Sequence, residues 1–189
     1  MKKLLFSAAA LCLSSFAFSQ TFRQGIGINV VLQSASGFTA DPVGGIMWSP
    51  SLHFMETDNS SLSVGIPMSF GISGSYNSQY AQNNSLSFMF DAPLIFNYNY
   101  GAGSTKEAED KFGFFAGAGV GYHTNQYTAT DDFGYSNSAK MAGFGPVGNI
   151  GARLGVGHGS HNLELRFSYM KTLDITKSNV IGIGFLFNF

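Results

Sequence analysis

Charge is what this chain has least of. Only 11% of its 189 residues are Asp, Glu, Lys or Arg, where a soluble domain carries about 25%. Low charge with 44% hydrophobic and 15% aromatic residues excludes a disordered chain, which is charged and poor in aromatics. Cysteine is nearly absent too. Cys12 is the sole example and it falls in the N-terminal leader, so neither disulfides nor thiolate chemistry is expected of the remainder. Beyond the leader no stretch holds 18 consecutive apolar residues, which excludes a transmembrane helix on length. Basic clusters are missing as well. Setting aside Lys2 and Lys3 leaves 8 basic residues of 10 against 11 acidic ones, a net charge near −3. That is no footprint for nucleic acid.

What is present begins with an export signal. Lys2 and Lys3 precede an apolar run from Leu4 to about Leu13, and small residues follow at Ala17 and Ser19. That order marks a secretory leader, with cleavage expected after Ser19. The apolar core is too short to anchor the chain as a helix. Leu11 before Cys12 lacks the small side chain a lipidation site needs. The predicted organisation is therefore a leader over residues 1–19 and one domain over residues 20–189.

In that domain the hydrophobic signal has period two, the mark of strands. The clearest case is Leu62–Ser73, where Leu62, Val64, Ile66, Met68, Phe70 and Ile72 alternate with Ser, Gly and Pro. Phe22–Gln33, Leu86–Tyr100, Phe112–His123, Asn149–Gly157, Leu163–Met170 and Ile181–Phe189 repeat it. Ile46–Met55 makes an eighth, looser segment, in which Pro50 implies a bulge or an edge. Long polar connections (Ser34–Gly45, Gly74–Asn84, Thr124–Lys140, Lys171–Ser178) alternate with turns at Glu56–Ser60 and Gly157–His161. Gly101–Asp110 is intermediate.

The non-apolar face of these segments is Gly, Ser and Asn, with almost no lysine or glutamate. A soluble barrel would expose that face to water with hardly any charge on it, against ordinary surface composition. Turned inside out, the features agree. The apolar face meets lipid and the small residues close a narrow interior. The predicted fold class is all-β, an eight-stranded antiparallel up-and-down transmembrane β-barrel. Its few strand charges then point inward. Arg23, Asp91, Arg153, Glu164 and Arg166 are expected to form a polar network in the lumen, since buried charges need partners. Aromatics near strand ends suggest interfacial girdles, with Phe96, Tyr98, Tyr100, Phe112 and Phe187 at one rim and Trp48, Tyr122 and Tyr169 at the other.

The chain ends Ile181-Gly-Ile183-Gly-Phe185-Leu-Phe187-Asn-Phe189. The terminal phenylalanine, with apolar residues at every second position before it, resembles the assembly signal of bacterial outer-membrane proteins. The whole domain resembles the small outer-membrane β-barrel superfamily, which includes the OmpA transmembrane domain and OmpX. That resemblance implies a Gram-negative outer-membrane location, contact with membrane lipid and lipopolysaccharide, and handling by the barrel assembly machinery. It implies no single activity, because fold does not fix function.

No catalytic, metal or cofactor motif stands out. Gly117-Ala-Gly119-Val-Gly121 lacks the third glycine of a dinucleotide fingerprint, since position 122 is Tyr122; the glycines keep strand parity and read as inward packing. His158 and His161 share a turn without a third ligand. His123, with Ser87 and Asp91, is open to reading as acyl-transfer machinery, but no nucleophile elbow is present. Tyr127, Phe133 and Tyr135 lie in the polar stretch Thr124–Lys140 and are candidate contacts for an extracellular partner. The expectation is a non-enzymatic barrel acting through its loops in envelope integrity, adhesion or defence. A narrow channel and a lipopolysaccharide-modifying enzyme are the alternatives.

Overall fold

The computed structural model describes residues 20–34, 42–75, 85–130, 136–157, 161–174 and 177–189. The leader, 1–19, lies outside the described residues. Alternation of apolar and small residues produces the strands β1 (Thr21–Ser34), β2 (Val43–Phe54), β3 (Ser60–Gly65), β4 (Met68–Ser75), β5 (Ser85–Gly101), β6 (Phe112–Thr130), β7 (Ser136–Gly155), β8 (Asn162–Lys171) and β9 (Asn179–Asn188). Each pairs antiparallel with its neighbours, and β1 pairs with both β2 and β9, so the sheet closes on itself.

β3 and β4 both lie between β2 and β5. They are two halves of one crossing strand, which makes eight crossings in all. The gap falls at Ile66-Pro67. Register on either side places Pro67 opposite Pro93, where neither residue has an N–H to give. The pairing resumes without offset. Pro50, expected at a bulge or edge, sits in neither. It is paired inside β2 opposite Gln24, and its carbonyl accepts from the Ile66 amide at 3.0 Å. A missing donor is tolerated there because the ladder bonds on both sides hold the register.

Register around the ring fixes the barrel's geometry. From Gly44 the pairs run through Val30, Ile183, Phe167, Ile150, Ala116, Tyr98 and Leu62 to Phe54. One circuit therefore advances ten residues along β2. Ten residues at about 3.3 Å, set against eight strands about 4.8 Å apart, tilt the strands by about 40°. A register row then climbs about 25 Å per circuit, or about 3 Å per strand, rising in the order β2, β4, β5, β6, β7.

The outward face is largely apolar across the spanning band. Ile28 and Phe112 are each 66% exposed, a degree of exposure that only a lipid solvent makes stable over a whole wall. On β6 the outward apolar run from Phe112 stops at Tyr122, which packs on Phe144 at 4.8 Å between ring centroids, and Thr124, Gln126 and Thr128 follow. Ten residues at this tilt span about 25 Å, the height of a barrel's apolar band. Trp48 shares a register row with Tyr122 but lies three strands lower on it. It therefore sits about 9 Å deeper than the outer rim where the sequence placed it. Most of the connection expected over Thr124–Lys140 is strand, because β6 and β7 stay paired out to Thr130 and Ser136. Together they form a hairpin that rises beyond the band.

Candidate functional site

The lumen is filled in three layers. At the turn end, where β1 begins and β9 ends, Arg153 faces Glu164 across β7 and β8. Glu164 is 1% exposed. It accepts from Arg153 Nε at 2.8 Å, from Arg166 Nε at 2.8 Å and Nη2 at 2.6 Å, and from Asn188 Nδ2 at 3.0 Å. Both guanidinium groups also lie over the Phe115 ring, at 4.5 and 5.2 Å from its centroid. One carboxylate thus holds two cations, and an aromatic face takes part of what remains.

The turn after β5 completes this layer by folding inward. Gly101 and Gly103 have φ of +71° and +69°, a conformation open to glycine. That reversal buries Ala102, Ser104 and Thr105 in the barrel mouth. Arg23 Nη1 donates to the Gly103 carbonyl at 2.8 Å, and Arg153 Nη1 to the same oxygen at 3.2 Å. Ser61 Oγ donates to the Ser104 carbonyl at 2.6 Å, and His53 Nδ1 lies 3.1 Å from it. This plug was missed in the sequence, where Gly101–Asp110 read only as a connection. The Gly-Ala-Gly spacing was its one visible sign.

Above the plug an apolar cluster sits among buried polar side chains such as Asn29, Ser69 and Asn149. Val31, Val43, Met89, Ile95, Val147, Met170 and Val180 form one buried cluster. All sit on the face that the sequence pattern reads as small and polar. A narrow barrel leaves no room for a continuous column of water, so bulky inward side chains interdigitate and fill it. A cavity of about 20 Å³ persists at this level, between Pro67, Pro93, Asp91 and Arg166. It is the size of one water.

The third layer lies at the loop end. His123 is 1% exposed; its Nδ1 lies 3.6 Å from Asp91 Oδ1 and its Nε2 lies 3.3 Å from Gln33 Oε1. Asp91 thus faces His123, while it and Arg166 line the same small cavity. Ser87 donates to Asn125 Oδ1 at 2.7 Å. The imidazole nitrogen that would activate a nucleophile faces an amide instead of a hydroxyl.

Other candidate residues are spread over the surface. Ile183, Phe185, Phe187 and Phe189 all point outward into the lipid band at the closing strand. His161 stacks on Phe187 at 5.9 Å, while His158 lies outside the described residues. Tyr127 has its backbone paired in β6, but its side chain, and all of Phe133 and Tyr135, lie outside them as well. Among the described residues no three His, Cys, Asp or Glu side chains cluster as a metal site would require.

No protein-family model matches the chain, and no curated protein matches it in sequence. Solved structures do. Ail, the attachment invasion locus protein of Yersinia pestis, superposes with a TM-score of 0.57 at 10% identity, over 90% of this chain and 98% of that one. Neisserial surface protein A superposes with a TM-score of 0.53 at 11% identity, over 90% and 97%. The fold is that of the small bacterial outer-membrane barrels. An outer-membrane barrel of this size crosses the bilayer with eight tilted strands, carries its termini and short turns on the periplasmic side and sends its longer connections outward. With a wall that is apolar on its outer face, this chain is an integral outer-membrane barrel. The plug is then periplasmic, and the β6–β7 hairpin extracellular.

Proposed function

We propose that this outer-membrane barrel is non-conducting and non-enzymatic, and that it acts through its extracellular end as an adhesive surface. The observation that carries this reading is the crowded lumen, which holds an ionic plug, a buried apolar cluster and a cavity of only about 20 Å³. Support against catalysis comes from Gln33, which occupies the His123 position that a nucleophile would need. Support for the outer end comes from the hairpin itself. Two strands paired well past the apolar band hold a rigid projection, and sites on paired strands are held more firmly than sites on free loops. Among the described residues the same end exposes Lys140, Lys171 and Lys177. Ail has been solved with a heparin analogue, sucrose octasulfate, and an anionic glycan is the class of partner these cations suit. Cells displaying the barrel should bind immobilised heparin more than cells lacking it, and shortening the hairpin between Thr124 and Ala142 should abolish the gain. Equal binding by the shortened barrel would overturn the reading.

A further inference from the structure

The outward apolar band is not level around the barrel. On β6 it ends at Tyr122, but on neighbouring β5 it continues through Phe90 and Phe88 to Leu86, six residues past Ala92, the partner of Tyr122. At this tilt Leu86 lies about 12 Å above Tyr122. Phe88 and Leu86 are 50% and 44% exposed, so on this side of the barrel apolar side chains stand above the hydrocarbon at headgroup level.

A concavity of about 680 Å³ occupies that region of the outer wall, within the range of specific small-ligand sites. Its course follows one register row, Gly44–Ile72–Phe88–Gln126–Lys140. The row climbs about 12 Å from foot to top. Gly44 has no side chain to fill the foot. The tilted pair Phe70 and Phe90, 4.9 Å apart, forms the aromatic lower wall, and Thr124, Gln126 and Lys140 form the polar upper one. No carboxylate lines it among the described residues.

We infer that this groove is a binding site for the headgroup of a phosphorylated glycolipid of the outer leaflet. Each part has a match in that chemistry. Aromatic rings suit the apolar faces of sugar rings, Thr124 and Gln126 suit hydroxyls, and Lys140 is a point charge for a phosphate. The groove opens sideways at the level where such headgroups lie, so the acyl chains run down the wall past Ile46. A membrane-bound occupant needs no path from bulk water to reach it. The site does not depend on the closed lumen or on adhesion.

Native mass spectrometry of the purified barrel, released from phosphatidylcholine nanodiscs that contain diphosphoryl lipid A, tests the assignment. Wild type should retain one lipid A. Lys140→Ala should lower the retained fraction about fivefold, the worth of one basic residue at a charged surface. Gly44→Phe should lower it as well, because a Cβ at Gly44 meets nothing within 4 Å and the ring can enter the foot without disturbing the wall. Both variants are checked for folding by heat-modifiable gel mobility. Phosphatidylglycerol in place of lipid A should be retained poorly by all three proteins. Equal lipid A retention by wild type and the folded variants overturns the site. So does equal retention of phosphatidylglycerol, or a dimer in place of the adduct.

Discussion

At the residue scale the decisive group is Glu164. It is the shared partner of Arg153 and Arg166, buried where neither cation reaches bulk water. Removing one member of such a set leaves an uncompensated charge, which costs about 3–5 kcal/mol. Glu164→Ala should therefore lower the urea-unfolding stability of the barrel in lipid vesicles by about that much. Arg153→Met should cost less, since Arg166 still holds the carboxylate. Equal small losses for both would mean that the network is solvated. The lipid face is as directly testable. Ile150 points outward near the middle of the band, and Ile150→Arg should destabilise by about 2–4 kcal/mol. An unchanged midpoint for that variant would contradict the outward placement. Inward charges were legible from the sequence because arginine and glutamate stand out on a face of glycine and serine. The sequence grouped Asp91 both with the arginines and with His123, and it could not say which of the two it faces. Parity puts both in the lumen, but their height depends on shear, which needs register between strands distant in sequence.

Among the elements, the strands were the most readable, because a wall facing lipid on one side forces strict alternation. Segments such as Leu163–Met170 and Ile181–Phe189 recur nearly as drawn. The hairpin extension escaped, since outside the membrane nothing demands apolar alternation and Thr124–Lys140 reads as loop. So did the break at Pro67, which depends on Pro93 lying opposite it. The periplasmic plug is the element with the most to test. Gly103 has a left-handed backbone, and a Cβ there would run into the Asn162 amide. Gly103→Val should lower stability by at least about 1–2 kcal/mol and speed tryptic cleavage at the already exposed Lys106 or Lys111. A protease-resistant turn in that variant would show that the plug does not need its glycines. Strand β9 carries a separate expectation. Deleting Phe189 should slow assembly in cells, read as accumulation of unfolded periplasmic chain, and normal yields would count against an assembly role for the terminal residue.

For the whole molecule, an eight-stranded ring with a shear of ten encloses little more than its own side chains. That narrowness connects sequence to role. Small inward residues allow closure, Val, Met and Ile fill the middle, and charges gather at the periplasmic mouth, where they pin the inward turn. The proposed role accordingly rests on surfaces, the extracellular hairpin and the outer wall. The sequence could place the barrel in its membrane, but it left pore and plug as alternatives, because both begin from the same inward charges. Single-channel recording of the folded barrel in a planar bilayer separates them. A filled lumen gives a silent membrane, in wild type and in Arg153→Ala alike. Reproducible conductance steps in the wild type that change size in Arg153→Ala would mean that ions pass the arginine cluster, and the closed barrel described here would be wrong.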